Sequence, residues 1–342
     1  MRVEHEILTL HTRDPFVIAR GGYAEHVTVL VRLTDEDGEY GLGEAAPNRY
    51  YGESVESALD ALRRATPLLS ESGGAEAATI EDELRATLPD ARSLTAAVSV
   101  ALHDLAAKRR SVSVRELWGL DSSRTPLSSY TIPIGDPAVL AERVRRAGEY
   151  PVLKIKLGAG DERLILDTVR AAAPEKTLRV DANAGWSRAR AAEMLEMLAR
   201  HDVELLEQPL AADDLEGLRE LQERTAIPII ADESCRVASD VERLAGVVRG
   251  INIKLAKCGG LVEARRMIAA ARAHGMSVMA GCMIESSVGI SGIAQLAPLL
   301  DYADLDGAAL LADDPYSGVT IPRGRIVFPD APGIGVRKRD AA

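Results

Sequence analysis

The sequence predicts an α/β protein in which a (β/α)8 barrel follows a smaller α+β domain. Three observations predict it. After about residue 125, short apolar segments alternate with helix-patterned ones. Their C-terminal ends, at Tyr130, Lys156, Asp181, Glu207, Asp232, Lys254, Ala280 and Asp306, recur every 22–26 residues, the period of a βα unit repeated eight times. The residues before 120 have a different texture, with three strand-like runs followed by amphipathic helices. Finally, no glycine-rich dinucleotide fingerprint follows any of the eight strands, which favours closure over the alternative of a doubly wound open sheet.

Taken in order, the first strands are expected at Val3–Leu10, 26–33 and 39–45, the last two joined by an Asp-Gly hairpin turn at Asp37-Gly38. Asp14 to Tyr23, punctuated by Gly21 and Gly22, reads as a loop. From Ser54 to about Leu117 the apolar spacing turns helical. Val98, Leu102 and Leu105 fall on one helical face, so Val98-Ser99-Val100 reads as helix despite its strand-like composition. A capping domain is thus expected over 1–120 and a barrel over 125–312, with strands at 129–134, 152–157, 178–181, 203–207, 228–232, 251–254, 277–280 and 303–306. Helices fit between them, including Arg188–His201 and Val262–His274, the latter closed by Gly275. The tail, about 313–342, carries a strand-like Arg325–Phe328 and is expected to return to the first domain.

Composition narrows the function. The chain has 342 residues, 46% apolar and 27% charged, ordinary for a soluble globular protein. It has no apolar run of about 18 residues, so no membrane span is expected, and its charged start does not read as a signal peptide. Three cysteines without zinc-type spacing favour a reducing cytoplasm. The formal charge of −11 argues against nucleic acid as a partner but leaves an anionic small molecule open. Oligomeric state is left open, a homo-oligomer included.

The chemistry centres on Pro151-Val152-Leu153-Lys154-Ile155-Lys156-Leu157-Gly158. Alternation puts Leu153, Ile155 and Leu157 on the face that packs under helices, and Lys154 and Lys156 on the face the barrel encloses. Two ammonium groups rooted about 7 Å apart along a strand are expected to lower one another's pKa toward that of a usable base. Barrel chemistry sits at the C-terminal strand ends, where Asp181, Glu207 and Asp232 come from three successive strands. Three buried carboxylates need a compensating charge, and a hard divalent cation fits oxygen ligands best. Mg²⁺ is the first expectation, with Mn²⁺ open. Lys156 on the second strand and Lys254 on the sixth would flank such an ion from opposite sides. One could remove an α-proton from a carboxylate substrate and the other return it to the opposite face.

These segments, together with Asp181-Ala182-Asn183-Ala184-Gly185-Trp186, Glu207-Gln208-Pro209, Ala231-Asp232-Glu233-Ser234, Ile251-Asn252-Ile253-Lys254 and Gly41-Leu42-Gly43-Glu44-Ala45, resemble the muconate-lactonizing subgroup of the enolase superfamily, where a lysine base beside Mg²⁺ recurs. The resemblance implies Asp181, Glu207 and Asp232 as metal ligands, Lys156 and Lys254 as the acid/base pair, and Lys154 as an electrostatic helper beside the substrate carboxylate. Asp304-Leu305-Asp306 looks like the Asp-x-Asp element of dipeptide epimerases, which holds a substrate α-ammonium. Pro15 to Gly21 resembles the specificity loop of alanyl-glutamate epimerases. That implies L-Ala-D/L-Glu as the default dipeptide, with Arg20 reading its side-chain carboxylate. Tyr23 stands where some relatives carry arginine, which leaves room for a hydrophobic second residue. Ser128, Tyr130, Cys282 and Met283 are further candidate pocket walls. An N-acyl amino acid racemase, an o-succinylbenzoate synthase, a muconate cycloisomerase and a non-catalytic barrel are the alternatives; substrates of the first three carry no free α-ammonium for Asp304 and Asp306.

Overall fold

The computed structural model describes residues 1–72 and 75–340. Strands β1 (Arg2–Ile18), β2 (Gly21–Thr34) and β3 (Tyr40–Ala45) form an antiparallel sheet in that order. The Asp-Gly turn is held by Asp35, whose Oδ1 accepts the N–H groups of Asp37 and Glu39. Residues 14–23, expected as a loop, instead belong to a long β1–β2 hairpin that turns at Ala19-Arg20, with a register shift between His11 and Phe16. Phe16, Val17 and Ile18 are strand formers. Gly22 permits their pairing, because a Cβ there would lie 2.7 Å from a Val17 methyl. The glycines that suggested a loop serve the closing pair of a hairpin.

Helices α1 (Val55–Glu71), α2 (Ala77–Thr87) and α3 (Arg92–Lys108) cover one face of this sheet. Ser54 opens α1 with a capping box shared with Ser57. Helix α3 buries Val98, Leu102 and Leu105 as the periodicity predicts. It lies almost on the backbone of β3, since a Cβ on Gly41 or Gly43 would stand 1.9 Å from the carbonyl oxygen of Ala101 or Ala97.

The barrel strands are β4 (Tyr130–Ile132), β5 (Val152–Lys156), β6 (Thr177–Asp181), β7 (Val203–Glu207), β8 (Ile229–Ala231), β9 (Gly250–Ile253), β10 (Ser277–Gly281) and β11 (Tyr302–Asp304). All are parallel and run in sequence order through one sheet. A doubly wound sheet would reverse that order, so it is ruled out. The two ends meet through a bridge between Ser128 and Ala303. There the Ser129 N–H donates to Ala303 O at 3.0 Å and the Leu305 N–H to Ser128 Oγ at 2.8 Å. Leu153 and Ile155 face the helices, whereas Leu205, Ile230 and Met279 form a small separate cluster with Tyr302.

Two carboxylates tie the first part to the barrel. Glu44 of β3 accepts the N–H groups of Ser286 and Gly289 where helix Ser287–Ala294 begins. Glu81 of α2 does the same for Val262 and Glu263 at helix Leu261–Ala273. Each satisfies donors that the first helical turn leaves unpaired. In the tail, Arg325–Phe328 forms only a bridge between Thr320 and Val327 rather than a strand, while Tyr316–Ser317 pairs with Arg337–Lys338.

Gly43→Ala should destabilise the protein by about 2 kcal/mol or more through overpacking of α3 against β3, read as a lower urea midpoint at unchanged slope. An unchanged midpoint would refute the close approach.

Candidate active site

The register of β5, β6 and β7 sets Lys156 beside Asp181, and Asp181 beside Glu207. Asp232 follows β8 directly, and Lys254 follows β9. Side-chain alternation therefore delivers charged groups from neighbouring strands to one level of the mouth, all of them buried.

Lys154 is the hub. Its Nζ lies 2.6 Å from Asp304 Oδ2, 2.7 Å from Glu207 Oε2 and 3.1 Å from Asp181 Oδ2. Lys156 Nζ donates to Asp181 Oδ2 at 2.7 Å, and Lys254 Nζ to Asp232 Oδ2 at the same distance. For Lys154 these contacts overturn the expectation of a lowered pKa. Burial does pull Lys154 down, but Asp304, Glu207 and Asp181 outweigh it and hold it well above its ordinary value. Burial and Asp232 act on Lys254 in the same opposed way, again with a net rise. The carboxylates diverge. Burial raises each, yet Lys156 and Lys154 bring Asp181 below the usual range, and Lys254 and Lys257 bring Asp232 well below it. Glu207, buried beside Asp181, is pushed up to about 7.

Asp181, Glu207 and Asp232 could hold a divalent cation. Among the described residues no trio of His, Cys, Asp or Glu is already drawn together as a metal-holding group; the ammonium groups stand among the oxygens instead. The donor set nevertheless fits a hard ion. Glu207 Oε2 has Lys154 nearby but no aligned hydrogen bond, and Asn183 Oδ1 and Asn252 Oδ1 are buried without partners. That is a surplus of buried oxygen acceptors.

Asp304 is the last residue of β11 and Asp306 lies just beyond it, and the two have different partners. Asp304 turns inward to Lys154 and accepts the Ser129 hydroxyl at 2.5 Å. Burial raises its pKa, but Lys154 and Lys156 bring it below the ordinary value. Asp306 accepts the Thr131 N–H at 2.6 Å, and burial with Asp304 nearby lifts it to about 7.

Arg20, at the hairpin turn, reaches over the mouth. Its Nη1 donates to Glu233 Oε1 at 2.8 Å and to Asn183 O at 2.7 Å, with the guanidinium 4.3 Å from the Tyr50 ring centroid. The Tyr23 side chain lies outside the described residues. Cys282 donates to Asp304 O at 3.3 Å, at the end of β11, and Met283 Sδ accepts from Asn48 Nδ2 of the first domain at 3.7 Å. Ser128, a candidate pocket wall, is drawn into the barrel seam. It is fully buried in the barrel closure, where its hydroxyl donates to Ser129 O and receives Leu305 N–H. Tyr130 lies in register with Leu153 and stacks on Tyr150 with ring centroids 4.4 Å apart, both rings lining a cavity beside β4.

Several groups escaped the sequence reading. Lys257 is fully buried and donates to Asp232 Oδ1, Asp232 O, Cys235 O and Asn252 O. Its signal was its place three residues after Lys254, one turn along helix Leu255–Cys258. Asn252 donates to Glu207 Oε1 at 2.8 Å and Asn183 N–H to Asp181 Oδ1 at 2.8 Å. Asn252 shares the inward face with Lys254 by alternation, which could have found it. Gln208 Oε1 accepts the N–H groups of Asp232 and Ser234, a link across two strands that no local pattern announces.

A parallel barrel with lysines and carboxylates gathered at its C-terminal mouth defines a class, the barrel enzymes built for acid–base chemistry. The chain belongs to the mandelate racemase and muconate-lactonizing enzyme group of the enolase superfamily. Residues 2–119 match the model for the mandelate racemase / muconate lactonizing enzyme N-terminal domain, and residues 137–342 match the enolase C-terminal domain-like model. It is 40% identical over 317 residues to an L-Ala-D/L-amino acid epimerase of Pedosphaera parvula, covering 91% of this chain and 90% of that one. It is 36% identical over 332 residues to an L-Ala-D/L-Glu epimerase of Bacteroides thetaiotaomicron, covering 96% and 86%. The crystal structure of a dipeptide epimerase from Cytophaga hutchinsonii, complexed with Mg and D-Ala-L-Val, superposes with a TM-score of 0.94 at 27% identity, covering 99% and 95%.

Lys257→Met should cost ~3–5 kcal/mol by stripping Asp232 of a buried partner, read by urea denaturation of the EDTA-treated protein. A loss below about 1 kcal/mol would show that Asp232 does not depend on it.

Proposed function

We propose that this protein is a Mg²⁺-dependent dipeptide epimerase that inverts the α-carbon of the second residue, with L-Ala-D/L-Glu as its default substrate. The observation that carries this reading is the pairing of Lys156 with Asp181 and of Lys254 with Asp232, on the second and sixth strands of one barrel mouth. Asp181, Glu207 and Asp232 would hold the ion. When bound, it supplies positive charge that lowers the cost of negative charge building on the substrate carboxylate.

This chain's own residues do the rest. Lys156 Nζ and Lys254 Nζ face opposite sides of the α-carbon; one, as free amine, takes the α-proton, and the other, as ammonium, delivers a proton to the opposite face. Lys154, kept charged by Asp304, Glu207 and Asp181, stabilises the enediolate that forms between the two transfers. Asp304 and Asp306 receive the dipeptide's α-ammonium. That requirement favours a dipeptide over N-acyl amino acids, succinylbenzoate precursors and muconate, which lack the group. Arg20, with only Nη1 committed to Glu233 and Asn183, offers its other nitrogens to an acidic second side chain. Among the described residues no helix is long and apolar enough to cross a membrane, and the three cysteines are free thiols, in keeping with a cytoplasmic enzyme.

Incubated with Mg²⁺ in D₂O, the enzyme should add one deuterium at the second α-carbon of a dipeptide, and EDTA should stop the exchange. Lys156→Ala and Lys254→Ala should each abolish epimerisation, by about a thousandfold or more, while each retains exchange from one stereoisomer. Exchange with no dipeptide would sink the assignment, and unchanged turnover in either variant would sink the two-base scheme. Arg20→Ala should lower kcat/KM for L-Ala-L-Glu about tenfold relative to L-Ala-L-Leu; equal losses on both would reject its role.

A further inference from the structure

A cavity of about 270 Å³ lies at the seam where the barrel closes, between the β1 strand, the end of β4 and helix Pro137–Arg146. Its lining carries three guanidinium groups, those of Arg13, Arg143 and Arg146, against the single carboxylate of Asp14. Asp14 is paired with Arg146 at 2.5 Å, so the formal balance of the lining is +2. Arg13 donates to the Ala309 carbonyl and to no carboxylate. Arg143 is only 8% exposed. It reaches the carbonyls of Pro133, Ile134 and Pro15, each at 3.4 Å, and its buried Nε has no partner. Buried guanidinium groups pair with carboxylate or phosphate far more favourably than with long carbonyl contacts. This one has no anion.

The cavity borders the proposed ammonium subsite. Thr131 lines it, and the Thr131 N–H is the donor to Asp306 Oδ2. Phe16, also in the lining, has its ring centroid 6.0 Å from Lys156 Nζ. A dipeptide whose α-ammonium rested on Asp304 and Asp306 would have its first side chain within reach of this cavity. Tyr130 and Tyr150 supply an apolar wall for methylene groups, and the arginines supply the far charge.

We propose that this seam cavity is a subsite for an acidic first residue, so that the enzyme takes dipeptides beginning with glutamate or aspartate. The inference rests on the dipeptide epimerase reading. A neutral side chain of the same shape leaves the guanidinium groups unpaired, and a lysine meets like charge.

The test fixes the second residue at the best one found by D₂O exchange and compares kcat/KM for first residues Ala, Glu, Gln and Lys. Gln is the control, since it matches Glu in shape without its charge. The Glu/Gln ratio should be about ten in the wild type and lower still for Lys. Arg13→Gln and Arg146→Gln, both at exposed side chains, should pull the Glu/Gln ratio toward one, mainly through KM. Arg143→Gln should do so too, but it also frees three backbone carbonyls, so the surface variants keep the test open if it fails to fold. A wild-type ratio of one or less, a preference for Lys, or a ratio that neither surface variant moves would overturn the subsite while leaving the epimerase reading intact. Exchange with no dipeptide at all would overturn both.

Discussion

Charge balance in a buried mouth is the constraint on which this structure turns. Six acids, Asp181, Glu207, Asp232, Glu233, Asp304 and Asp306, meet five cations, Lys154, Lys156, Lys254, Lys257 and Arg20, in a space nearly closed to water. Their formal sum is −1. At low dielectric such an excess is costly, and it is relieved by raising the pKa of the least compensated acids. Those acids are Glu207 and Asp306, both lifted to about 7, and Glu233, raised by burial and by Asp232 beside it. A divalent cation held among the oxygens would change the sum to +1, and loss of one lysine proton would return it to zero. The electrostatics that favour an ion here thus also favour the free amine that a proton-abstracting lysine needs.

That balance depends on geometry the rest of the fold supplies. The level register of β5, β6 and β7 brings Lys156, Asp181 and Glu207 side by side without any loop to position them. Lys257 and Gln208 fix Asp232 from behind, one through its carboxylate and carbonyl, the other through its N–H. The first part of the chain is locked to the barrel by Glu44 and Glu81, each accepting N–H groups at the start of a barrel helix. Because the β1–β2 hairpin is anchored by that docking, its turn can carry Arg20 across the mouth to Glu233. The hairpin is a continuous sheet element, which orders Arg20 at less entropic cost than a free loop would.

Much of this was legible in the sequence, for identifiable reasons. The barrel showed because strand ends recur at a fixed step, and the principal charged residues showed because alternation forces them onto one face. Helix α3 was legible from Val98, Leu102 and Leu105 alone. What escaped depended on partners far apart in the chain. Glycines at 21 and 22 carry the same letters in a loop and in a tight hairpin; only their pairing with Val17 and Ile18 decides. Ser128 looked like a pocket residue by position, yet closure of the barrel, 177 residues apart from Leu305 in sequence, claimed its hydroxyl. The pKa expectation failed for Lys154 because it counted the neighbouring ammonium on the strand and not the acids facing it from β6, β7 and β11.

The division of labour between strands and edges follows from the same physics. Residues that transfer protons must keep their distances to within fractions of an ångström, and they stand on or beside hydrogen-bonded strands whose neighbours fix them. On the proposed function, the groups that would read substrate side chains stand on the hairpin turn and at the barrel seam, where Arg20, Arg13 and Arg146 are partly exposed. A change there alters charge at the rim without disturbing the balance at the centre. The interior sum must stay near zero for any substrate, whereas the rim can be made positive or apolar independently. One mouth can therefore serve dipeptides of different side-chain chemistry, and the rim, more than the lysines and carboxylates, determines which dipeptide enters.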